Sequence, residues 1–386
     1  MLLKNIRKFD PIIIVLMVAF LAISTLLTYS ATLNDEKIQI GAIKIIIIYT
    51  ASFLAFFAAG LFDYRTLLKT SFYLYGLGIL LLVGIFAFGA VQNGAKGWYK
   101  IPGGLDLQPA EIMKLFLIIA ITYVISQKNK NTLRLTKDVL PIFGLVFVPF
   151  LLVIMQPDLG NAVIYVAILL GMLWIGNMKY THTLLGTVIF VGGLTLFLLV
   201  YTSYHDAIIP LLDKWGVGHW ASRLDAYIDP SKATKDQIYH VKQAKMAVAS
   251  GGLYGEGFLR GTSVHAGFIP YSYSDSIFVV VAEEFGFMGS AALLLLYFTL
   301  IYRMILIAIN CRTMSGSLIV TGILSMFIFQ IFENVGMMLG ILPLTGITLP
   351  FISYGGTSLL INMISMGLAM SVKVHSAESD SAYPSV

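Results

Sequence analysis

The chain has 386 residues, of which 58% are hydrophobic and 12% charged. Soluble globular domains carry about 25% charged residues, so this composition excludes a water-soluble enzyme and predicts a chain surrounded mostly by lipid. The net charge is +5, but the basic residues lie in short clusters between apolar runs. That pattern is typical of membrane orientation and argues against nucleic acid as a partner.

Apolar stretches long enough to cross about 30 Å of hydrocarbon recur along the whole chain. The first follows a basic N-terminus and runs about twenty residues, too long for the apolar region of a signal peptide, so we expect it to be retained. We predict one all-α polytopic membrane domain over 1–386 with about ten transmembrane helices. The expected spans are 11–30, 40–61, 72–91, 109–126, 138–155, 160–177, 183–202, 276–302, 314–342 and 349–371.

The distribution of Lys and Arg between the short loops predicts the orientation. If the N-terminus is cytoplasmic, the short outer segments hold only Lys37, Lys96 and Lys100, and the other short segments hold most of the basic residues. This places the protein in the cytoplasmic membrane with both termini inside. It also makes 203–275, between spans seven and eight, a large extracellular loop.

One amphipathic stretch is visible within that loop, DQIYHVKQAKMAVAS at 236–250. Its apolar residues fall roughly on one helical face, and Lys242 and Lys245 occupy much of the remainder. A helix lying on the outer leaflet and a helix packed on its own loop both fit this pattern.

Polar residues near the spans gather at the predicted outer face. Glu111 and Lys114 share one face at the start of span four, Asp158 precedes span six, and Asp275 opens span eight. Because the inner loops alone set the orientation, this convergence indicates a site. Each acid also has a structural interpretation as a cap or a dipole partner at a helix N-terminus, and Lys114 as the ion-pair partner of Glu111.

Three further acids, Glu283, Glu284 and Glu333, fall deep within predicted spans. Buried structural carboxyls and a polar interior shared by these residues are both consistent with such positions. The six histidines show no metal-ligand spacing.

Two weaker candidates lie in loops. The stretch GGLYGEGFLRG (251–261) does not follow a predicted strand, which excludes a phosphate-binding P-loop. We interpret it as a flexible re-entry into the membrane, with Arg260 available to a phosphate. Trp98, in the outer loop before span four, fits an interface anchor or the wall of a sugar site.

Four stretches carry a family resemblance: GWYKIPGGLDLQPAEIMK, MQPDLGNA, GGLYGEGFLRGTSVHAGFIPYSYSDSIFVVVAEEFGFMG and ENVGMMLGILPLTGITLPFISYGGTSLL. In this order they resemble the SEDS family of bacterial cell-wall synthases, which includes RodA and FtsW, and look more like its RodA branch. The residues YSYS before Asp275 depart from the acidic and basic residues often found there in the family.

The resemblance implies a peptidoglycan glycosyltransferase that polymerises lipid II into glycan strands at the outer membrane face, in cell elongation. The family's catalytic aspartate falls on Asp275 and its first-loop tryptophan on Trp98. Glu111, Lys114 and Asp158 match polar positions around the family's central cavity. The implied partner is a class B penicillin-binding protein, which supplies the transpeptidase.

The chemistry fits an outer-face site. Asp275 would act as the general base on the acceptor hydroxyl. Lys114, Arg260 or a divalent cation such as Mg²⁺ or Mn²⁺ would stabilise the leaving polyprenyl diphosphate. No metal site is predicted from the residues. Two other functions stay open: a flippase for lipid-linked precursors, which would use acids near the midplane, and a non-catalytic scaffold for the transpeptidase.

Overall fold

The computed structural model describes residues 7–33, 42–92, 95–101, 105–128, 132–214, 225, 228 and 235–376. In this part of the chain, seven helices are long and apolar enough to cross a bilayer, and two shorter apolar helices accompany them. The predicted all-α membrane architecture is therefore confirmed. Part of the predicted 203–275 loop lies outside the described residues, so its extracellular position stays a prediction.

The described helices, numbered in chain order, are α1 (Pro11–Thr32), α2 (Ala42–Leu61), α3 (Tyr64–Lys69), α4 (Ser71–Phe88), α5 (Pro109–Ser126), α6 (Leu140–Ile154), α7 (Leu159–Ile175), α8 (Tyr180–Ser203), α9 (His205–Lys214), α10 (Lys235–Ser250), α11 (Thr262–His265), α12 (Ile277–Asn310), α13 (Met314–Met338) and α14 (Gly356–Ser376). A π-helical turn, Leu135–Val139, leads into α6. Each predicted span has a helix in its place.

A small antiparallel sheet replaces the loop expected before α5. Its strands β1 (Ala90–Gln92), β2 (Ala95–Ile101) and β3 (Leu105–Leu107) pair in chain order. Strand β2 contains Trp98, Tyr99 and Ile101, and aromatic and β-branched side chains favour strands. The Tyr99 hydroxyl donates to the Leu81 carbonyl at 2.8 Å, which attaches the sheet to α4.

Helix α12 is two helical segments joined at a break. Gly286 has φ +64° and ψ −159°, outside the helical region. The segment 277–285 is almost entirely buried, whereas 287–310 exposes many apolar side chains. At 1.5 Å per residue, 287–310 is about 36 Å long and can cross the hydrocarbon alone. The predicted span 276–302 is therefore wrong at its start, because it joins a buried segment to the membrane-crossing one.

The last helix begins later than predicted. Span ten was expected from residue 349, but α14 begins at Gly356, and residues 339–355 form a non-helical segment, hereafter the 339–355 segment. Pro343 and Pro350 lie in it, and proline cannot donate the N–H that a helix interior requires. The hydropathy of this stretch resembles a span because it is rich in apolar residues, of which Ile347, Leu349, Phe351 and Ile352 are buried against protein.

Helices α5 and α14 are the most buried of the long apolar helices, and α4 and α12 are among the most exposed. The predicted amphipathic helix forms as α10. Its buried residues are Ala244 and Ala247, while Met246, expected on the apolar face, is exposed. These alanines allow close approach, and α10 packs against α11, α12 and α13.

The Asp10 carboxylate connects the start of α1 with α12 and with the end of α14. Asp10 caps α1 by accepting from the backbone N–H of Ile12 at 3.1 Å. It also pairs with Arg303 of α12 and, at 2.7 Å, with Lys373 of α14. Burial acts to raise the pKa of Asp10, but these cations outweigh burial and leave its pKa lowered. The start of α1 and the end of α14 therefore lie at the same end of the bundle.

Candidate functional site

A buried ion pair lies in the first turns of α5. Lys114 Nζ is 2.7 Å from Glu111 Oε2, and both side chains are almost fully buried. Pro109 at the first position of α5 starts the helix, so the two residues share one face three positions apart. A buried ammonium requires a compensating carboxylate. Glu111 is the buried partner of Lys114, beneath the surface of the protein.

Asp158 connects the start of α7 to the start of α5. Its carboxylate caps α7 by accepting from the Asn161 backbone N–H at 3.1 Å, and it accepts from the Asn161 side chain at 2.8 Å. Gln108 Nε2, just before α5, also donates to Asp158 at 2.8 Å. The capping interpretation of Asp158 is therefore confirmed, and the cap simultaneously positions it beside the residues preceding Glu111.

Glu333 of α13 joins this group, which sequence reasoning did not predict. Its carboxylate interacts electrostatically with Asp158 and Lys114 and accepts a hydrogen bond from the Thr345 side chain. The sequence had suggested Glu283 and Glu284 as its neighbours because all three fall deep in predicted spans. We call Glu111, Lys114, Asp158 and Glu333 the charged cluster.

Asp275 is half-buried and lies just before α12. The N-cap of α12 is Ser276, whose side chain makes no capping hydrogen bond. Asp275 therefore does not occupy the cap position, so the capping interpretation is wrong, and a dipole interaction with α12 stays open. The Asn334 side-chain amide donates to the backbone carbonyls of Asp275, at 2.8 Å, and Ile347, at 2.7 Å. This amide fixes the backbone at Asp275 against the 339–355 segment.

The 339–355 segment contacts both Asp275 and the charged cluster. A Cβ placed on Gly346, whose φ is +79°, would be 3.6 Å from Asp275 Oδ2. The preceding residue, Thr345, is the side-chain partner of Glu333. Asp275 and the charged cluster thus contact adjacent residues of one segment. The structure brings them to the same region, and their catalytic roles stay predictions.

The two remaining sequence candidates lie farther out. Trp98 is half-buried on β2 and pairs in register with Ala90. The sheet reaches α14 through Thr357, whose hydroxyl donates to the Asp106 carbonyl. Arg260 is exposed, and its neighbour Gly261 lies against Glu283, eight residues beyond Asp275. Eight helical residues span about 12 Å, so Arg260 lies closer to the break in α12 than to Asp275.

The acids Glu283 and Glu284 hold the stretch 251–267 against α12. Glu283 accepts from the backbone N–H groups of Ser263, at 2.7 Å, and Val264, at 3.0 Å. Glu284 accepts from the Ser30 hydroxyl of α1 and lies 3.4 Å from His265 Nε2. The stretch 251–261, expected to be flexible, is also bonded to α12, through Glu256 N–H to the Glu283 carbonyl at 2.9 Å and Gly257 N–H to the Glu284 carbonyl at 3.0 Å. The two carboxylates thus have structural partners.

Metal binding was tested against the side chains present. Within the described ranges, no three His, Cys, Asp or Glu side chains converge to hold a metal ion. Glu111 is paired with Lys114, and Asp158 accepts three hydrogen bonds. These residues do not form a ready ligand set, so a divalent cation stays a prediction.

Comparisons with known proteins agree across the whole chain. Residues 8–378 match the family model of FtsW, RodA and SpoVE, described as cell cycle protein. The chain is 32% identical to the peptidoglycan glycosyltransferase MrdB of Escherichia coli K12 over 95% of this chain and 94% of that protein. It is 30% identical to the probable peptidoglycan glycosyltransferase FtsW of Bacillus subtilis over 97% of this chain and 93% of that protein.

Solved structures show the same fold. A chain of a peptidoglycan synthase complex that coordinates polymerization and crosslinking matches with TM-score 0.76 and 27% identity, covering 95% of this chain and 98% of that chain. The rod shape determining protein RodA of Thermus thermophilus matches with TM-score 0.66 and 26% identity over 95% and 96%. The chain belongs to the SEDS family of FtsW, RodA and SpoVE, whose curated relatives named above are peptidoglycan glycosyltransferases.

Proposed function

We propose that this chain is a peptidoglycan glycosyltransferase that polymerises lipid II into glycan strands. Family membership supports the reaction class. The observation that carries the proposal is the position of Asp275, a half-buried carboxylate that is not a helix cap and that shares the 339–355 segment with the charged cluster. A polymerase of this kind needs a base and a cation at one site.

Asp275 is the general base in this proposal. The acceptor sugar hydroxyl transfers its proton to the Asp275 carboxylate as its oxygen attacks the anomeric carbon of the donor. A carboxylate positioned within hydrogen-bond reach of the acceptor hydroxyl is the group such a step requires. Attack opposite the leaving group converts an α-linked donor into a β-linked product. Asn334 holds the backbone at Asp275, which fixes the direction of approach.

Lys114 stabilises the leaving group. The bond that breaks joins the anomeric carbon to polyprenyl diphosphate, which departs without protonation and carries its charge away. A positioned ammonium in a buried site stabilises such charge more strongly than water does. Glu111, at 2.7 Å, holds the ammonium in place. Arg260, in the turn before α11, lies closer to the break in α12 than to Asp275 and is not our first choice for this role.

The proposed orientation places both termini in the cytoplasm and Asp275 at the outer face. The Lys and Arg distribution supports the orientation. The Asp10 contacts with Lys373 agree with it, because the first and last helices begin and end at the same end of the bundle. An outer-face site receives both substrates from the leaflet that their polyprenyl tails occupy.

A class B penicillin-binding protein is the proposed partner, and cell elongation and shape the proposed process. A similar solved chain belongs to a synthase complex that joins polymerization to crosslinking. The flippase alternative loses support, because two of the three deep acids on which it relied have structural partners. Glu283 accepts from the backbone at 263 and 264, and Glu284 accepts from the Ser30 hydroxyl of α1. The scaffold alternative requires that Asp275 be dispensable.

The test uses purified full-length protein and labelled lipid II, with glycan polymer resolved on a gel. We expect Asp275→Asn to abolish polymer because the amide cannot accept the proton. Glu256→Gln serves as the matched control, since it neutralises an acid of the preceding loop away from the site. Expression and partner binding should be unchanged in both. Polymer at near-parental yield from Asp275→Asn would remove Asp275 as the base and favour the scaffold role.

A further inference from the structure

An exposed apolar surface lies where the membrane-crossing part of α12 begins. Leu253, Tyr254 and Phe258 of the preceding turn and Phe287 and Met288 of α12 are all exposed, Tyr254 by 78%. We call these five residues the collar. Soluble surfaces rarely gather so many large apolar side chains, and such a patch marks an interaction site.

The collar is rigid because backbone hydrogen bonds join its two parts. Phe287 N–H donates to the Gly252 carbonyl at 2.9 Å, and Met288 N–H donates to the Leu253 carbonyl at 3.1 Å. In the other direction, Gly257 N–H donates to the Glu284 carbonyl at 3.0 Å. A Cβ on Gly286 would lie 2.4 Å from the Gly255 nitrogen, so this contact requires glycine.

The collar is continuous with the surface that faces lipid. Beyond Met288, the exposed side chains of α12 include Leu295, Phe298 and Ile309. The segment 287–310 is about 36 Å long, close to the hydrocarbon thickness plus part of one headgroup layer. Phe287 therefore lies at one boundary of the bilayer, and the hydrogen bonds to Gly252 and Leu253 hold the turn at that depth.

We propose that the collar is a membrane-interface anchor that inserts into the boundary between headgroups and acyl chains. Its composition fits that layer, since leucine, phenylalanine and methionine enter the acyl region while the tyrosine hydroxyl stays with water. Arg260, exposed at the end of the same turn, meets the phosphates of the lipid headgroups. The anchor fixes the depth of the loop that leads to Asp275, whatever reaction the site performs.

The test measures depth by spin labelling of full-length protein in vesicles of phosphatidylethanolamine and phosphatidylglycerol. Cys311, the single cysteine, is replaced by serine, and single cysteines are introduced as Leu253→Cys and Tyr254→Cys. Phe298→Cys on the lipid face and Gln127→Cys in the exposed turn after α5 are the references. Collision rates with oxygen and with a water-soluble nickel chelate report lipid and water exposure.

Labels at 253 and 254 should show an oxygen-to-nickel collision ratio several-fold above that at 127 and below that at 298. A ratio equal to that at 127 at both positions would overturn the anchor. A second outcome would also overturn it: water-like labels in the chain alone that become inaccessible to both reagents when a partner protein is added. The collar would then be a protein-binding surface. Glycan polymerisation by the labelled proteins is scored separately, so failure of the anchor does not bear on Asp275.

Discussion

Two groups of buried acids in this protein differ in what surrounds them. Glu283 and Glu284 accept hydrogen bonds from Ser263, Val264 and Ser30, and so fasten a loop and α1 to α12. The charged cluster instead draws its members from α5, α7 and α13 around one buried ammonium. The comparison teaches that burial of an acid does not by itself indicate a site, and that the source of its partners must be considered as well.

Among variants of these two groups of residues, the largest expected effect comes from removing the cation of the charged cluster. Lys114→Met should raise the polymerisation barrier by about 2–3 kcal/mol, or roughly 30- to 160-fold in rate, as when one preorganised donor is lost. The measurement is the initial rate of glycan formation from labelled lipid II. A full-rate enzyme would show that Lys114 has only a structural role.

A second variant separates catalysis from folding in that experiment. Lys114→Met leaves Glu111 buried without its cation, which is costly. Pairing it with Glu111→Gln removes the unpaired charge. We expect the double variant to regain thermal stability but not activity. Recovery of activity together with stability would mean that the loss in the single variant came from misfolding.

The next largest effect is a loss of stability on replacing Glu283, which binds the backbone at residues 263 and 264. Glu283→Met should lower the free energy of unfolding by about 1–3 kcal/mol, because two N–H groups of residues 263 and 264 lose their acceptor. Thermal unfolding in detergent measures it, with Glu283→Gln as the conservative control that keeps one acceptor oxygen. If activity falls as much as for Lys114→Met while stability is unchanged, Glu283 belongs to the site and the comparison fails.

The smallest expected effect is a pH dependence of the free energy of unfolding, caused by Glu256 in the same loop. Burial acts to raise the pKa of Glu256, but hydrogen bonds from Thr262 and Ser250 outweigh it and leave the pKa lowered. The ionised Glu256 carboxylate then contributes its full stabilisation of the fold above its unfolded pKa of about 4.3. This contribution is lost as the pH falls through the lower pKa of the folded state. Glu256→Gln should cost less than about 1 kcal/mol at pH 7, with the difference closing in acid. A constant difference at all pH values would exclude this linkage.

Periodicity and charge predicted the spans well because lipid imposes long apolar helices. They did not predict the break at Gly286, since its cause is the approach of Gly255 from a distant turn. The 339–355 segment was not predicted because burial by protein and burial by lipid require the same hydropathy. Two prolines could have indicated it.

The site was predictable where local spacing decides it, as for Glu111 with Lys114 three residues later. Glu333 was missed because its partners come from α5, α7 and the 339–355 segment, and a single sequence gives no such distances. Asp275 could be located, but only the structure shows that Ser276 rather than Asp275 occupies the N-cap of α12. The three-dimensional neighbours, not the residue types, separate the two groups of acids.

The contacts of Asp10 have a consequence for how the chain assembles. During synthesis the first helix enters the bilayer with this carboxylate at its start, long before Arg303 and Lys373 have been translated. The aspartate must therefore stay hydrated until the last helix arrives and supplies its second cation. The ion pairs of Asp10 with Arg303 and Lys373 are therefore both formed only after α14 has been inserted, and truncation before residue 373 would remove one of these two cations.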